Sequence, residues 1–500
     1  MAASALLPHL HNMRYGTDMW CFYDRLFIGG EWVRPASPDT LQVVSASTEE
    51  VIGSVPKGNE ADADVAVAAA RRAFDDPTGW SNWSPDQRAD ALLRLATAID
   101  KYSGSIAIRV SSQNGMPLSI SKQTEAVMPA TLLRYYAGLI RDTAVEEHRP
   151  SLVYGTTAVR KEPLGVVAAI VPWNFPQSLT FFKLAPALAA GCTVVIKPSS
   201  ETVLDAFLLA DAVEEADLPA GVINIVTGGG RTVGTHLIHH PGVDKVAFTG
   251  STDAGRTIAE QCGRLLKPVT LELGGKSAGI ILDDVDLHQS MRSMFSSTLL
   301  NNGQTCFIST RILAPDNRYD EVVDAFTAMA SALRVGDALD LKTQIGPVAS
   351  AHQRHNIEAH IAQGKSEGAR ITTGGRRPAD LDRGWFVEPT IFADVDNKAT
   401  IAQEEIFGPV LSIIRYREED EAVQIANDSV YGLGGTVWTA DPARGLAVAR
   451  RVQAGAVGVN GFTLDHGAPF GGVKSSGLGR ELGPEGLHPY QQLKSVYLPA

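Results

Sequence analysis

Between Gly165 and Gly275 the chain alternates short apolar, β-branched runs with helix-like stretches, and nothing else in it constrains the fold as strongly. GVVAAIVPWNFP opens the series, a helical stretch runs on through Ala190, and CTVVIKPSS, LDAFLLADAVEEADL, GVINIVTGGG, KVAFTG and PVTLELGG follow. Apolar runs this short, closed by Pro or Gly turns, read as strands buried on both faces. Strands joined through helices lie parallel, because a parallel pair needs a crossover. The predicted fold class is α/β, with a doubly wound sheet of the nucleotide-binding type that takes its ligand at the strand carboxyl ends.

A second alternation runs from Ser277 to about Gly479, with helix-like DVDLHQSMRSMFSSTLLNN, strand-like TRILAP and a helix from Tyr319 into Leu333. Ahead of both, Ala61–Phe74 and Pro85–Tyr102 carry helical spacing. Residues 143–161 and the tail SVYLP alternate polar with β-branched or aromatic residues, the pattern of exposed strands that pair with another edge. They are expected to mediate assembly into a homodimer or homotetramer.

Forty-four Lys+Arg against 56 Asp+Glu leave a net charge of −12 without a basic run, so neither nucleic acid nor a membrane surface is an expected partner. A small molecule is. Cys21, Cys192, Cys262 and Cys306 show no C-x-x-C spacing, which argues against disulfides and zinc and fits a reducing, cytoplasmic setting. The first twenty residues lack a basic n-region and contain Pro8, against a secretory signal, and Met13 and Met19 leave the start open.

Several stretches could carry chemistry. Gly228-Gly229-Gly230 with Gly234 only approximates the dinucleotide fingerprint, and a plain βα turn competes with it. Gly250-Ser251 directly follows a strand and opens a helix, where backbone N–H groups can hold a pyrophosphate. Lys197 ends the strand TVVIK at the ligand-binding edge; alone it reads as a solvated lysine, and the Gly-rich turns beside it favour a binding role. Gly275-Lys276-Ser277-Ala278-Gly279 matches the serine-hydrolase elbow, but a strand follows the Ser where the elbow needs a helix. His236, His239 and His240 share one helix with no Cys or carboxylate at ligand spacing, so no metal is expected. Cys306 is either an inert buried thiol or a reactive one in a polar turn. Glu272, between Leu271 and Leu273, is either a paired structural carboxylate or a base with a raised pKa.

Seven ordered motifs then join these pieces: PWNFP (Pro172–Pro176), IKPS (Ile196–Ser199), FTGST with Gly255, LELGGK (Leu271–Lys276), GQTC (Gly303–Cys306), EEIFGP (Glu404–Pro409) and PFGG.K.SG.GRE (Pro469–Glu481). Together they resemble the aldehyde dehydrogenase superfamily over nearly the whole chain. The resemblance implies a Rossmann-like NAD(P)-binding domain (1–142 and 162–272), a second α/β catalytic domain (273–480) and a β-strand bridging element (143–161 and 481–500). It implies NAD(P)+-dependent oxidation of an aldehyde to its acid. Cys306 matches the nucleophile that forms a thiohemiacetal and then a thioester. Asn174 matches the amide that holds the oxyanion with the Cys306 backbone N–H, Glu272 the base that activates water, and Lys183 a lysine of the same cavity that aids proton relay. Trp173, Lys197, Ser200, Gly228, Gly250, Ser251, Leu273, Gly274, Glu405 and Phe407 match cofactor-binding positions.

Glu272 favours the hydrolytic branch, since relatives that transfer the acyl group to coenzyme A generally lack it. A coenzyme A acylating enzyme and a non-catalytic relative are the alternatives. Many NAD-dependent relatives place a ribose-binding Glu where this chain has Ser200, with Glu201 one position on. If the segment is extended, Glu201 faces away and does not repel a 2′-phosphate, so NADP stays open beside the expected NAD. Phe175, Phe182, Phe307, Phe462 and Phe470 are expected to line a substrate tunnel; without an assignable Arg it suits an apolar aliphatic, terpenoid or aromatic aldehyde.

Overall fold

The computed structural model describes residues 21–499, so the reading of the first twenty residues, with Met13 and Met19, lies outside the described residues. The alternation after Gly165 folds into the middle of an eight-stranded sheet. Its spatial order is Gly477–Leu478, Val269–Glu272, Lys245–Thr249, Val166–Ile170, Thr193–Lys197, Ile223–Ile225, Leu26–Ile28 and Glu31–Val33. The five central strands are parallel. The chain winds outward from Val166–Ile170 through two strands to one side, then returns to lay Lys245–Thr249 on the other. That reversal leaves a crevice beyond Ile170 and Thr249, where an open α/β sheet binds its ligand. The strands Val166–Ile170, Thr193–Lys197, Ile223–Ile225 and Lys245–Thr249 are fully buried because helices cover both faces, among them Glu60–Asp75 on one side and Pro176–Ala190 on the other.

A seven-stranded sheet runs in the order Arg370–Thr373, Thr390–Ala393, Val410–Tyr416, Ser309–Pro315, Ser277–Ile281, Gly435–Trp438 and Gly458–Val459. Only its Arg370–Thr373 edge is antiparallel. The chain passes from the first sheet to this one through Leu273–Lys276, so the crevice of the first opens onto the second. Glu146–Pro150, Thr156–Pro163 and Gln491–Leu498 form a separate antiparallel sheet in which Gln491 pairs with Pro163 and Leu498 with Thr156. Its Leu493 and Tyr497 are exposed. Among the described residues no helix is long and apolar enough to cross a membrane.

The structure departs from the sequence reading in four places. The helix expected to end at Tyr102 runs from Pro85 to Asn114, because Ile106 and Val110 beyond Ser103-Gly104-Ser105 are drawn into the core. Cys21 and Phe22, ahead of the first expected element, pair with Gly53 and Ser54. Gly477 and Leu478 close the edge of the first sheet against Leu271 and Glu272, although they fall inside the segment 273–480; an open edge there would leave backbone groups of the Glu272 strand unpaired. The bridging strand extends past residue 161 to Pro163, since Gln491 and Gln492 supply its partners.

Candidate active site

The Cys306 loop follows the helix Leu287–Thr298 and turns through three successive left-handed residues, Asn301 (φ 52°), Asn302 (φ 61°) and Gly303 (φ 77°). Asn tolerates this region better than most residues, and Gly without strain. At Gly303 a Cβ would lie 2.1 Å from the carbonyl oxygen of Gly408, so no other residue fits without moving the neighbouring backbone. Cys306 is half-buried. Burial pushes its thiol pKa up, with the Glu405 and Glu272 carboxylates adding to the shift.

Asn174 lies in the loop beyond Ile170, at the switch point of the sheet. Its side chain is buried, and Nδ2 donates to the Gln304 carbonyl at 3.0 Å, which leaves one amide hydrogen uncommitted. Asn174 and Cys306 line one cavity of about 300 Å³ together with Trp173, Gly250, Ser251, Leu273, Gly274, Glu405 and Phe407.

Glu272, whose carboxylate acts on the Cys306 thiol, is the last residue of its strand and 3% exposed. Neither carboxylate oxygen has a hydrogen bond of normal geometry. Its pKa is raised well above the ordinary carboxylate value, first by burial and then by Glu481, against Lys183, Arg480 and the Gly472 N–H. Lys183 rises from the helix Pro176–Ala190, where Nζ donates to Thr249 Oγ1 at 2.6 Å and to Glu481 Oε1 at 2.7 Å. Glu481 is a residue the sequence reading did not single out. The contact spans 298 positions, and nothing local in GRE marks its carboxylate as buried.

Of the expected cofactor residues, Trp173, Gly250, Ser251, Leu273, Gly274, Glu405 and Phe407 line this cavity, whereas Lys197, Ser200 and Gly228 are not in its lining and lie at and just beyond the carboxyl ends of two neighbouring strands. Ser251 caps the helix Thr252–Arg264, its Oγ accepting from the Ala254 N–H at 3.3 Å. Lys197 Nζ donates to the carbonyls of Pro198 (2.6 Å) and Gly228 (3.3 Å), and burial lowers its pKa to about 8, with Glu201 opposing the shift. Glu405 Oε1 accepts from the Gly275 N–H at 3.0 Å, and burial raises its pKa to about 7. A Cβ at Gly274 would lie 2.3 Å from Glu405 Oε2, so only glycine lets the carboxylate cross the end of this strand. The Trp173 and Phe407 rings meet edge to face at 5.2 Å. Helix-start N–H groups, a hydroxyl and a carboxylate in one cavity, with the Lys197 ammonium at the end of a strand of the same sheet, suit a ligand with phosphates and ribose diols, which fits the implied dinucleotide.

Three findings were outside the reach of the sequence. The segment after Lys197 bends rather than extends, so Glu201 does not face away: its carboxylate takes the Ser199 hydroxyl hydrogen and acts electrostatically on Lys197. His236 and His240 do meet a carboxylate, that of Asp64 on another helix. The Gly242 N–H donates to His240 Nδ1 at 2.9 Å, which makes Nε2 the protonated nitrogen of the neutral ring and a donor to Asp64 rather than a free ligand atom. Gln353, Asn356 and His360 of the helix Ala351–Ser366 also line the cavity, and Gln353 Nε2 donates to the Phe407 carbonyl at 2.8 Å. Ser277 starts a strand, Ser277–Ile281, so the hydrolase elbow has no helix to rest on.

Four of the five phenylalanines are brought into ring contact. Phe307 and Phe462 stack at 4.6 Å, while Phe470 meets Phe307 at 6.1 Å and Phe182 at 6.3 Å, both edge to face. Phe175, Cys306 and Phe307 pack against the core cluster that contains Phe182 and Phe470, as does Leu464.

Comparison with known proteins places this geometry. The model of the aldehyde dehydrogenase family matches residues 32–496. Geranial dehydrogenase of Castellaniella defragrans is 58% identical over 476 residues, 95% of this chain and 99% of that protein. An aldehyde dehydrogenase of Mycobacterium tuberculosis solved with NAD+ superposes with a TM-score of 0.94 at 46% identity, covering 96% of this chain and 99% of that one. Aldehyde dehydrogenase C of Pseudomonas syringae, solved with NAD+ and octanal, gives 0.92 at 39% identity, covering 98% and 99%.

Proposed function

The chain belongs to the aldehyde dehydrogenase family and is an oxidoreductase that uses NAD to oxidise an aldehyde, and from that membership we propose how its residues divide the work. Cys306, deprotonated, adds through Sγ to the aldehyde carbon, forming the C–S bond of a thiohemiacetal. The oxyanion takes the uncommitted N–H of Asn174 and the backbone N–H of Cys306. Bound NAD supplies the hydride acceptor. Loss of hydride from the thiohemiacetal carbon leaves a thioester on Cys306. Glu272 takes a proton from water, whose oxygen adds to the acyl carbon; the C–S bond breaks, which releases the acid and restores the Cys306 thiolate, with the proton from water held on Glu272. Lys183 and Glu481 carry that proton away from Glu272. Glu201, turned toward Lys197, disfavours the 2′-phosphate of NADP.

The substrate in this reading is an apolar aldehyde, terpenoid, aliphatic or aromatic. The stacked pair Phe307–Phe462 carries it, Phe307 directly following the nucleophile in sequence and joined through Phe470 to Phe182. Geranial, the substrate named for one relative, has this character. NADH absorbance with citral, octanal, benzaldehyde and succinic semialdehyde tests it, with and without coenzyme A. Turnover is expected on the first three without coenzyme A; preference for the semialdehyde, or a need for coenzyme A, overturns it.

The exposed antiparallel sheet ending at Leu498 is proposed to join subunits into a homodimer or homotetramer, the exposed Leu493 and Tyr497 supplying apolar contact. A monomer by analytical ultracentrifugation at micromolar concentration overturns it. Among the described residues no cysteine forms a disulfide, which fits a cytoplasmic enzyme, and cell fractionation checks it.

A further inference from the structure

We propose that Asn114 and Asn301 are positioning residues of the oxyanion site, two carboxamides that grip one peptide group and so hold the Asn174 amide where the reacting oxygen arrives. The inference rests on the reading of Asn174 as the oxyanion donor. Asn114 is the last residue of the helix Pro85–Asn114 and fully buried; its Nδ2 donates to the carbonyls of both Trp173 and Asn174 at 3.0 Å. Asn301, also fully buried, donates from Nδ2 to the same Asn174 carbonyl at 2.9 Å. Two donors on one carbonyl use both of its lone pairs. The plane of that peptide is thereby fixed from two sides, by elements 60 and 127 residues away in sequence.

The contacts also close a ring. Asn114 Nδ2 donates to the Asn174 carbonyl, Asn174 Nδ2 to the Gln304 carbonyl (3.0 Å), and Gln304 Nε2 to the Asn114 carbonyl (3.3 Å). Asn114 Oδ1 is held by the Met116 N–H at 3.0 Å and Gln304 Oε1 by the Ala349 N–H at 2.9 Å, so neither carboxamide is free to flip. Gln304 lies two residues before Cys306, so the ring ties the oxyanion donor to the nucleophile through side chains that carry no charge. An oxyanion hole works only if its donors are already aimed, and a displacement of about 1 Å costs about 10²-fold in rate. The strain at Asn301 has a reason in this arrangement: its left-handed backbone turns the carboxamide away from its own loop and onto Asn174.

The test is the pre-steady-state burst of NADH in the full-length enzyme, measured for Asn114→Ala, Asn301→Gly, Asn174→Ala and the double variant Asn301→Gly/Asn174→Ala. Glycine at 301 keeps the left-handed turn while removing the amide, so this variant reports even if Asn114→Ala fails to fold. The expected result is a burst about tenfold slower or more in each single positioning variant. In Asn301→Gly the NAD affinity by fluorescence titration stays unchanged, and with Asn174 already replaced Asn301→Gly has no further effect. Multiplying effects in the double variant, or full-rate bursts in both positioning variants while Asn174→Ala is slow, overturn the inference and leave the reading of Asn174 standing. A full-rate burst in Asn174→Ala overturns both.

Discussion

The two walls that flank Cys306 are built from opposite materials. On the Asn174 side the contacts are made by neutral carboxamides, Asn114, Asn174, Asn301 and Gln304, each donating to a backbone carbonyl. On the Glu272 side the groups ionise: Glu272, Glu481 and Lys183 are all buried, and Glu272 lacks a normal hydrogen bond. A wall that must stabilise charge at one point needs donors whose geometry and charge do not vary with pH. A wall that must take a proton from water needs a carboxylate that gains from accepting one, which burial beside a second carboxylate supplies.

Breaking the walls one at a time separates them. Cys306→Ala removes the group both act on, and dehydrogenase activity should vanish while NAD binding by fluorescence titration persists. Glu272→Gln should keep the NADH burst but slow steady-state turnover by about 10²–10⁴-fold, the range for a lost general base; loss of the burst itself means that Glu272 serves the first half-reaction. Asn174→Ala should show the converse, a burst slower by about 10²–10³-fold.

The pH profile sharpens the contrast. Glu272 acts deprotonated and its pKa is raised, so thioester hydrolysis should rise as pH climbs through that value and fail on the acid side. Glu481→Gln removes the second cause of the shift, moving the limb to lower pH, whereas Asn174→Ala should leave it in place. The smallest change is expected at the cofactor edge. Glu201→Gln should raise the NADP to NAD ratio of kcat/KM a few fold, as suits an exposed charge screened by solvent; an unchanged ratio removes Glu201 from cofactor choice.

What could be read from the sequence was whatever is written in consecutive residues. Apolar runs ending in Pro or Gly marked the central strands, because burial on both faces leaves few polar positions in them, such as Asn224, and most of the rest at their ends. The turn residues Gly250, Ser251 and Gly274 marked the crevice, because close approach to backbone demands them. Partners from afar were hidden. Asn114 read as the tail of a helix, Glu481 as one acid in a polar motif, and Asp64 as a solvated face of the helix Glu60–Asp75. Each acquires its role from a contact between 60 and 298 residues distant. Glu201 was misread because its direction depends on a bend of the Pro198–Val203 backbone that side-chain identity does not announce.

Gly303 has a consequence for how such a catalyst can change. With no room for even one carbon between its Cα and the Gly408 carbonyl, the nucleophile loop and the segment bearing Glu405 and Phe407 move as one rigid part. The aromatic side is joined differently, since Phe182, Phe307, Phe462 and Phe470 meet through ring faces and edges. Reshaping the enzyme for a different aldehyde is a matter of exchanging rings there one by one, on a reaction centre whose own dimensions tolerate no adjustment.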